Sequence, residues 1–139
     1  MKKYENYCSN LRILEQAHKE NLENEFIISG IIDKFSIQFE LGWKLLKVLL
    51  TYEGRPAAVT GSPRSIIKEA YAVYPFFDGE LWLRMLKERN DMSHIYDGNE
   101  AKELVNRIIK EYIPQFAALE TSLVQQYGDM LSLKHGEKL

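Results

Sequence analysis

Ile27-Ile28-Ser29-Gly30-Ile31-Ile32-Asp33-Lys34-Phe35-Ser36-Ile37-Gln38-Phe39-Glu40-Leu41-Gly42-Trp43-Lys44-Leu45-Leu46-Lys47-Val48-Leu49-Leu50 is the most apolar run of the chain, and its periodicity decides the fold. Ile28, Ile32, Phe35, Phe39, Leu46 and Leu49 recur at helical spacing, and Ile37, Leu41, Leu45 and Val48 form a second stripe. The polar remainder, Asp33, Ser36, Glu40, Lys44, Lys47 and Thr51, falls on one line. A helix apolar over more than half its circumference must be covered from several sides. The segment from about Ile27 to Glu53 is therefore predicted to be the central helix of a bundle, and a candidate dimer face. Its charges, Asp33, Lys34, Glu40, Lys44 and Lys47, exclude a bilayer span.

Upstream, no Gly or Pro occurs before Gly30, and Tyr4, Tyr7, Leu11, Leu14 and Leu22 predict a first helix from about Lys2 to Asn21. Downstream, Gly54 suits the position just past a helix end, and Arg55 to Gly61 reads as loop. Ser62-Pro63 reads as an N-cap followed by proline at the first helical position, opening a short helix to about Tyr74. Asp78 caps the next helix, which runs through Trp82, Met85 and Leu86 to about Ile95. Beyond Asp97-Gly98-Asn99, a long helix carries Leu104, Val105, Ile108, Tyr112, Phe116, Leu119 and Leu123 on its apolar side. Pro114 is expected to kink it or open one backbone hydrogen bond. The expected fold is all-α: an up-and-down antiparallel bundle of four main helices and one short one. Residues 1–127 form a single domain in this reading, and 128–139 a frayed tail.

Composition narrows the function. The 139 residues include 18 Lys and Arg against 20 Asp and Glu, a net charge of −2. That excludes a protein that binds nucleic acid simply by being strongly basic. A single cysteine excludes an intramolecular disulfide and a Cys-cluster metal site. The N-terminus lacks the apolar core of a signal peptide, so the expected location is cytoplasmic, with no membrane partner. No Gly-rich phosphate loop, zinc spacing or nucleophile elbow is present, and no cofactor or metal is expected.

Chemistry concentrates in Leu86-Lys87-Glu88-Arg89-Asn90-Asp91-Met92-Ser93-His94-Ile95-Tyr96-Asp97. Asn90 and His94 share a helical face, and Arg89 and Ser93 share the adjacent one. Arg89 and His94 lie about 140° apart at ~100° per residue, so they can flank a phosphate but not from one stripe. Arginine offers a planar fork to phosphate oxygens, and histidine moves protons near neutral pH. By spacing alone, a solvated or capping helix end is the better explanation, since Arg-x4-His is a weak pattern. Lys44 and Arg64 are further candidate ligand contacts, the latter because backbone N–H groups point outward where its helix starts. Glu40 and Lys44, four apart, are expected to form an ordinary ion pair. His18 is expected to be packed or hydrogen-bonded, Cys8 buried, and Trp43 and Trp82 core or dimer anchors.

Several motifs in order resemble one family. They are Phe39-Glu40-Leu41-Gly42-Trp43-Lys44-Leu45-Leu46-Lys47, Gly61-Ser62-Pro63-Arg64, Ile67-Lys68-Glu69-Ala70 and the run from Trp82 to Asp97. Together they are similar to the nucleotidyltransferase substrate-binding protein family, a branch of the HEPN superfamily, over roughly Phe26 to Leu123. The resemblance implies a homodimeric helical bundle acting with a separately encoded minimal nucleotidyltransferase that holds the metal-binding carboxylates. This chain has no candidate motif for those carboxylates. Some HEPN relatives with Arg-x4-His-x-Tyr are metal-independent RNase toxins, and that motif maps onto Arg89, His94 and Tyr96. There Arg89 and His94 would be catalytic, and Tyr96 would be the candidate acceptor of AMP from the nucleotidyltransferase antitoxin. The sequence departs from the family pattern at Glu88 and Asp91, and Asp91 is a possible partner for Arg89.

Two roles follow. In one, the site only binds nucleotide or acceptor, through Arg89, Asn90, Ser93, His94, Lys44 and Arg64. In the other, His94 assists a 2′-hydroxyl and Arg89 stabilises the phosphorane of an RNA substrate. Charge is divided along the chain. Residues 78–100 net −3 and residues 40–70 net +2, so contact with RNA would need help from Lys44, Lys47, Arg55, Arg64 or Lys68.

Overall fold

The computed structural model describes residues 1–92 and 97–132. Among them there is no strand, and the fold is all-α as expected. Helix α2 (Glu25–Tyr52) is the central element, packed against α1 (Lys2–Leu14), α4 (Pro63–Val73), α5 (Gly79–Asp91) and α6 (Gly98–Arg107). No helix among the described residues is long and apolar enough to cross a membrane.

The first apolar stripe explains that centrality, whereas of the second only Leu45 is fully buried and Ile37 is exposed. Ile28, Ile31, Phe35, Phe39, Leu45, Leu46, Leu49 and Leu50 are all buried. Asp33, Lys44 and Thr51, on the polar line, are exposed. Asn24 starts the helix by accepting hydrogen bonds from the backbone N–H groups of Phe26 (2.8 Å) and Ile27 (3.2 Å). At its end the N–H of Gly54 donates to Thr51 O and that of Arg55 to Leu50 O, each at 3.0 Å. That paired closure needs a left-handed residue, and Gly54 supplies it with φ +79°.

The structure departs from the sequence reading in four places. The first helix ends at Leu14 rather than Asn21, and a 3-10 turn, Ala17–Lys19, brings the chain round to α2. His18 is consequently exposed and hydrogen-bonded, the second of its two expected roles, its Nδ1 3.0 Å from Glu15 O. The expected loop after Gly54 contains a one-turn helix, α3 (Pro56–Val59), with proline in its first turn and Ala58 buried. The long last helix is divided. A π-helical turn, Ile108–Tyr112, separates α6 from α7 (Ile113–Tyr127). Pro114 has no N–H to donate and its ring crowds the carbonyl four residues back, so the wider turn just before it relieves both. Finally, the tail begins with a 3-10 turn, Gly128–Ser132, that buries Leu131. The terminal ammonium of Met1 donates to Leu131 O at 2.9 Å. Residues 133–139 lie outside the described residues.

The α1–α2 interface closes around two buried amides that the apolar pattern did not reveal. Asn10 Nδ2 donates to Gln38 Oε1 (2.8 Å) and Lys34 O (3.0 Å), while Gln38 Nε2 donates to Tyr7 O (3.0 Å). These pairings run the two helices antiparallel and leave no side-chain donor idle. Tyr7 OH in turn donates to Phe116 O of α7 at 2.7 Å. Burial, with the charge of Glu120 adding to it, pushes the Tyr7 phenol up well above the usual value.

Tyr4 and Tyr112 are pushed up to about 12, mainly by burial. Unfolding returns them to about 10. A phenol whose pKa is higher when folded contributes stability below the unfolded value, and that stability drains away as pH rises toward the folded value. The Cys8 thiol, likewise pushed up to about 12, returns to about 8.5 on unfolding, so the urea midpoint is expected to hold to about pH 8 and fall steadily between about pH 8.5 and 12. A midpoint flat across that window would contradict these tyrosine environments.

Candidate functional site

Helix α5 presents the motif. Asp78 caps it, its Oδ1 accepting from Leu81 N at 3.1 Å, and Trp82, Met85 and Leu86 bury its inner face. The opposite side carries Lys87, Asn90 and Asp91 into solvent, with Arg89 half-buried at its edge. Helix α4 starts alongside, its Ser62 cap accepting from Ser65 N at 3.4 Å. Between them lies a groove of about 620 Å³ lined by Ser62, Pro63, Arg64, Lys87, Arg89 and Asn90, among others. Three of the expected ligand contacts, Arg64, Arg89 and Asn90, therefore meet in one depression, at the start of a helix whose first N–H groups favour an anion.

Arg89 is the most constrained of these. Its Nη1 lies 3.0 Å from Glu40 Oε1 of α2, and its guanidinium carbon sits 5.4 Å from the Phe39 ring centroid. Its Nε is buried and has no partner among the described residues. Asp91, the acid expected to engage Arg89, instead pairs with Lys87 at 2.9 Å. The reason is register: Lys87 and Asp91 are four apart on the outer face, while Arg89 turns toward α2. Glu40 is the hub of the region. Its Oε2 accepts from Trp43 Nε1 (3.1 Å) and lies 3.7 Å from Lys44 Nζ, the ion pair anticipated from their spacing.

Lys44 is not part of the groove. It lines a second cleft on the outer strip of α2 with Lys3, Trp43, Lys47 and Tyr52, and reaches Arg89 only through Glu40. Ser93, His94 and Tyr96 lie outside the described residues. Cys8 is only half-buried, and burial together with its bond to Glu120 pushes its thiol up to about 12, which removes it as a nucleophile at neutral pH. Trp82 is fully buried and Trp43 is not.

Sequence reasoning missed what supports the motif from behind. Glu88 turns inward and takes Arg107 in a two-point contact, Nε to Oε2 at 2.7 Å and Nη2 to Oε1 at 3.1 Å. Tyr112 OH donates to the same Oε2 at 2.9 Å. Glu88 thus ties α5 to the π turn and fixes the azimuth at which its neighbour Arg89 leaves the helix. Glu88→Gln keeps the shape but removes the charge. It is expected to cost about 1 kcal/mol, since Arg107 remains partly solvated. Urea denaturation measures it, and an unchanged midpoint would show that the contact stabilises nothing.

A family model for nucleotidyltransferase substrate binding protein-like chains matches residues 2–125. The chain belongs to that family. Among curated proteins, no relative matched the sequence. The matched span runs from the start of α1 to two residues short of the end of α7, and both walls of the Arg64–Arg89 groove lie within it. Membership also implies association with a nucleotidyltransferase.

Proposed function

We propose that this chain is the helical substrate- or nucleotide-binding subunit of a two-component nucleotidyltransferase, and that a separate chain supplies the transfer chemistry. The observation that carries this reading is the groove between α4 and α5. Arg64 and Arg89 come from segments 25 residues apart in sequence, yet line one depression with the amide of Asn90 and a capped helix start. Two guanidiniums and a helix N-terminus suit a phosphate group, and the amide suits a sugar or base edge.

A metal-independent RNase toxin of the same architecture is the other reading, with Arg89 and His94 catalytic and Tyr96 a target for AMP transfer. The geometry favours it less. Stabilising a phosphorane asks an arginine to meet a full developing charge, and Glu40, 3.0 Å from Arg89, already takes up part of the guanidinium's own. Binding requires less, since the guanidinium retains other N–H groups for a ligand.

A homodimer is part of the proposal. Phe26 (89% exposed), Gly30 and Ile37 (45% exposed) share one outer face of α2, continued by Ile13 (54% exposed) from α1. Such a stripe on an otherwise well-packed helix suits an isologous contact.

The test is a calorimetric titration of the purified chain with ATP, alongside incubation with single-stranded RNA in EDTA. Binding should be saturable, the RNA should stay intact, and light scattering should give twice the chain mass. Arg64→Ala is expected to weaken ATP by about fivefold, as an exposed charge-assisted contact would. RNA cleavage that vanishes in His94→Ala would replace this reading with the RNase one.

A further inference from the structure

The second cleft has the opposite character to the chain as a whole. It runs along the polar strip of α2 and is closed at one side by Lys3 of α1, with a volume of about 590 Å³, ample for a small ligand. Lys3, Lys44 and Lys47 line it and no carboxylate does, in a protein whose net charge is −2. Lys3 has no ion pair among the described residues, Lys47 donates to the carbonyl of Gly61 at 3.4 Å, and Lys44 meets Glu40 at 3.7 Å. None of these removes the positive charge from the cleft.

Beside the lysines stands Trp43. Its Nε1 donates to Glu40 Oε2 at 3.1 Å, which fixes the plane of the ring while leaving part of it open to the cleft. Lys44 Nζ lies 5.9 Å from the ring centroid, and Tyr52, 51% exposed, lines the same cleft. An indole held in place with the Lys44 ammonium 5.9 Å from its ring, in a cleft lined by two further lysines, complements a ligand that is flat at one end and anionic at the other.

We infer that this cleft binds a nucleoside monophosphate, its base stacked on Trp43 and its phosphate among Lys3, Lys44 and Lys47. The choice of a nucleotide, rather than another aromatic anion, rests on the function proposed above, but the residues are different ones. Glu40 joins the two places, holding Trp43 and Lys44 with one oxygen and Arg89 with the other. The cleft and the groove are therefore neighbouring subsites on opposite sides of one carboxylate.

The chain contains two tryptophans, and Trp82 is fully buried, so a ligand-induced change in emission reports Trp43. Titration with AMP is expected to quench that emission saturably. Adenosine and inorganic phosphate, each offering half the contacts, should bind at least about tenfold more weakly. Lys47→Ala gives up one contact of its own, to Gly61 O, and should weaken AMP by about fivefold while the circular dichroism is unchanged. AMP that leaves the emission unaltered, or binds Lys47→Ala as well as wild type, overturns the inference. Binding seen by calorimetry, silent at Trp43 and lost in Arg64→Ala, upholds the groove but overturns the cleft. A quench lost in Lys47→Ala with no ligand effect at Arg64 upholds the cleft and removes the groove. If AMP does nothing and Trp43→Leu changes the oligomeric state, the cleft is a protein contact and the inference fails.

Discussion

Gly42→Ala is expected to destabilise the protein by about 1–3 kcal/mol, although alanine is the better helix former. A Cβ at position 42 would lie 2.6 Å from Trp82 Cη2 and 3.2 Å from Tyr7 Cε2. The indole of Trp82 is fully buried, wedged among Phe39, Phe77 and Phe116, and has no room to retreat. Gly42 is therefore a point at which α1, α2 and α5 approach closely. The same substitution at Gly30, in the same helix, meets nothing within 4 Å of its own chain and, measured at concentrations where the chains do not pair, is expected to stabilise by about 0.5–1 kcal/mol. Urea denaturation of the two variants gives shifts of opposite sign. Shifts of the same sign would mean that Trp82 does not pack against the α2 backbone. Because Trp82 is seven residues before Arg89 on one helix, a loosened Trp82 should also degrade ligand binding.

Arg89→Ala is the second large effect expected, and it falls on binding. A guanidinium making charge-assisted contacts to a phosphate is worth roughly 1.5–3 kcal/mol, or about 10- to 150-fold in affinity for ATP. The fold should tolerate the change, because Arg89 is not fully buried and Glu40 keeps Trp43 and Lys44 as partners. Lysine is not expected to rescue it. An ammonium reaches one oxygen at a time, and it loses the planar contact with the Phe39 ring. Equal affinity in wild type, Arg89→Ala and Arg89→Lys would remove Arg89 from the site.

Much of this architecture is legible in the residues. The first stripe of α2 announced a central helix, although the second is only partly covered, and Gly54, Ser62, Asp78 and Pro114 each marked a boundary for a local reason. These signals act within one turn of the chain. The misplaced boundary at Leu14 had no such signal before it. The usable one lay downstream, in Asn24, whose side chain caps α2 and obliges the preceding residues to turn. The candidate site divides the same way. Arg64, Arg89 and Asn90 could be nominated one at a time from their chemistry. Their meeting in one groove, the diversion of Arg89 to Glu40 rather than Asp91, and the exclusion of Lys44 all depend on helix packing. Glu88 was read as a departure from a pattern, when its partner Arg107 is 19 residues away across a helix pair.

The central claim is that the groove between α4 and α5 receives a nucleotide phosphate on Arg64 and Arg89. It is tested most directly by following the arginine Nε–Hε resonances of the 15N-labelled chain during titration with ATP. The Arg89 signal should stand apart in the free protein, because its Nε is buried beside Phe39 and unpartnered among the described residues. Arg64 and Arg89 are expected to shift together along one saturation curve, with Arg12 and Arg84, on other faces, unmoved. ATP binding that saturates without moving either Arg64 or Arg89 would contradict the account.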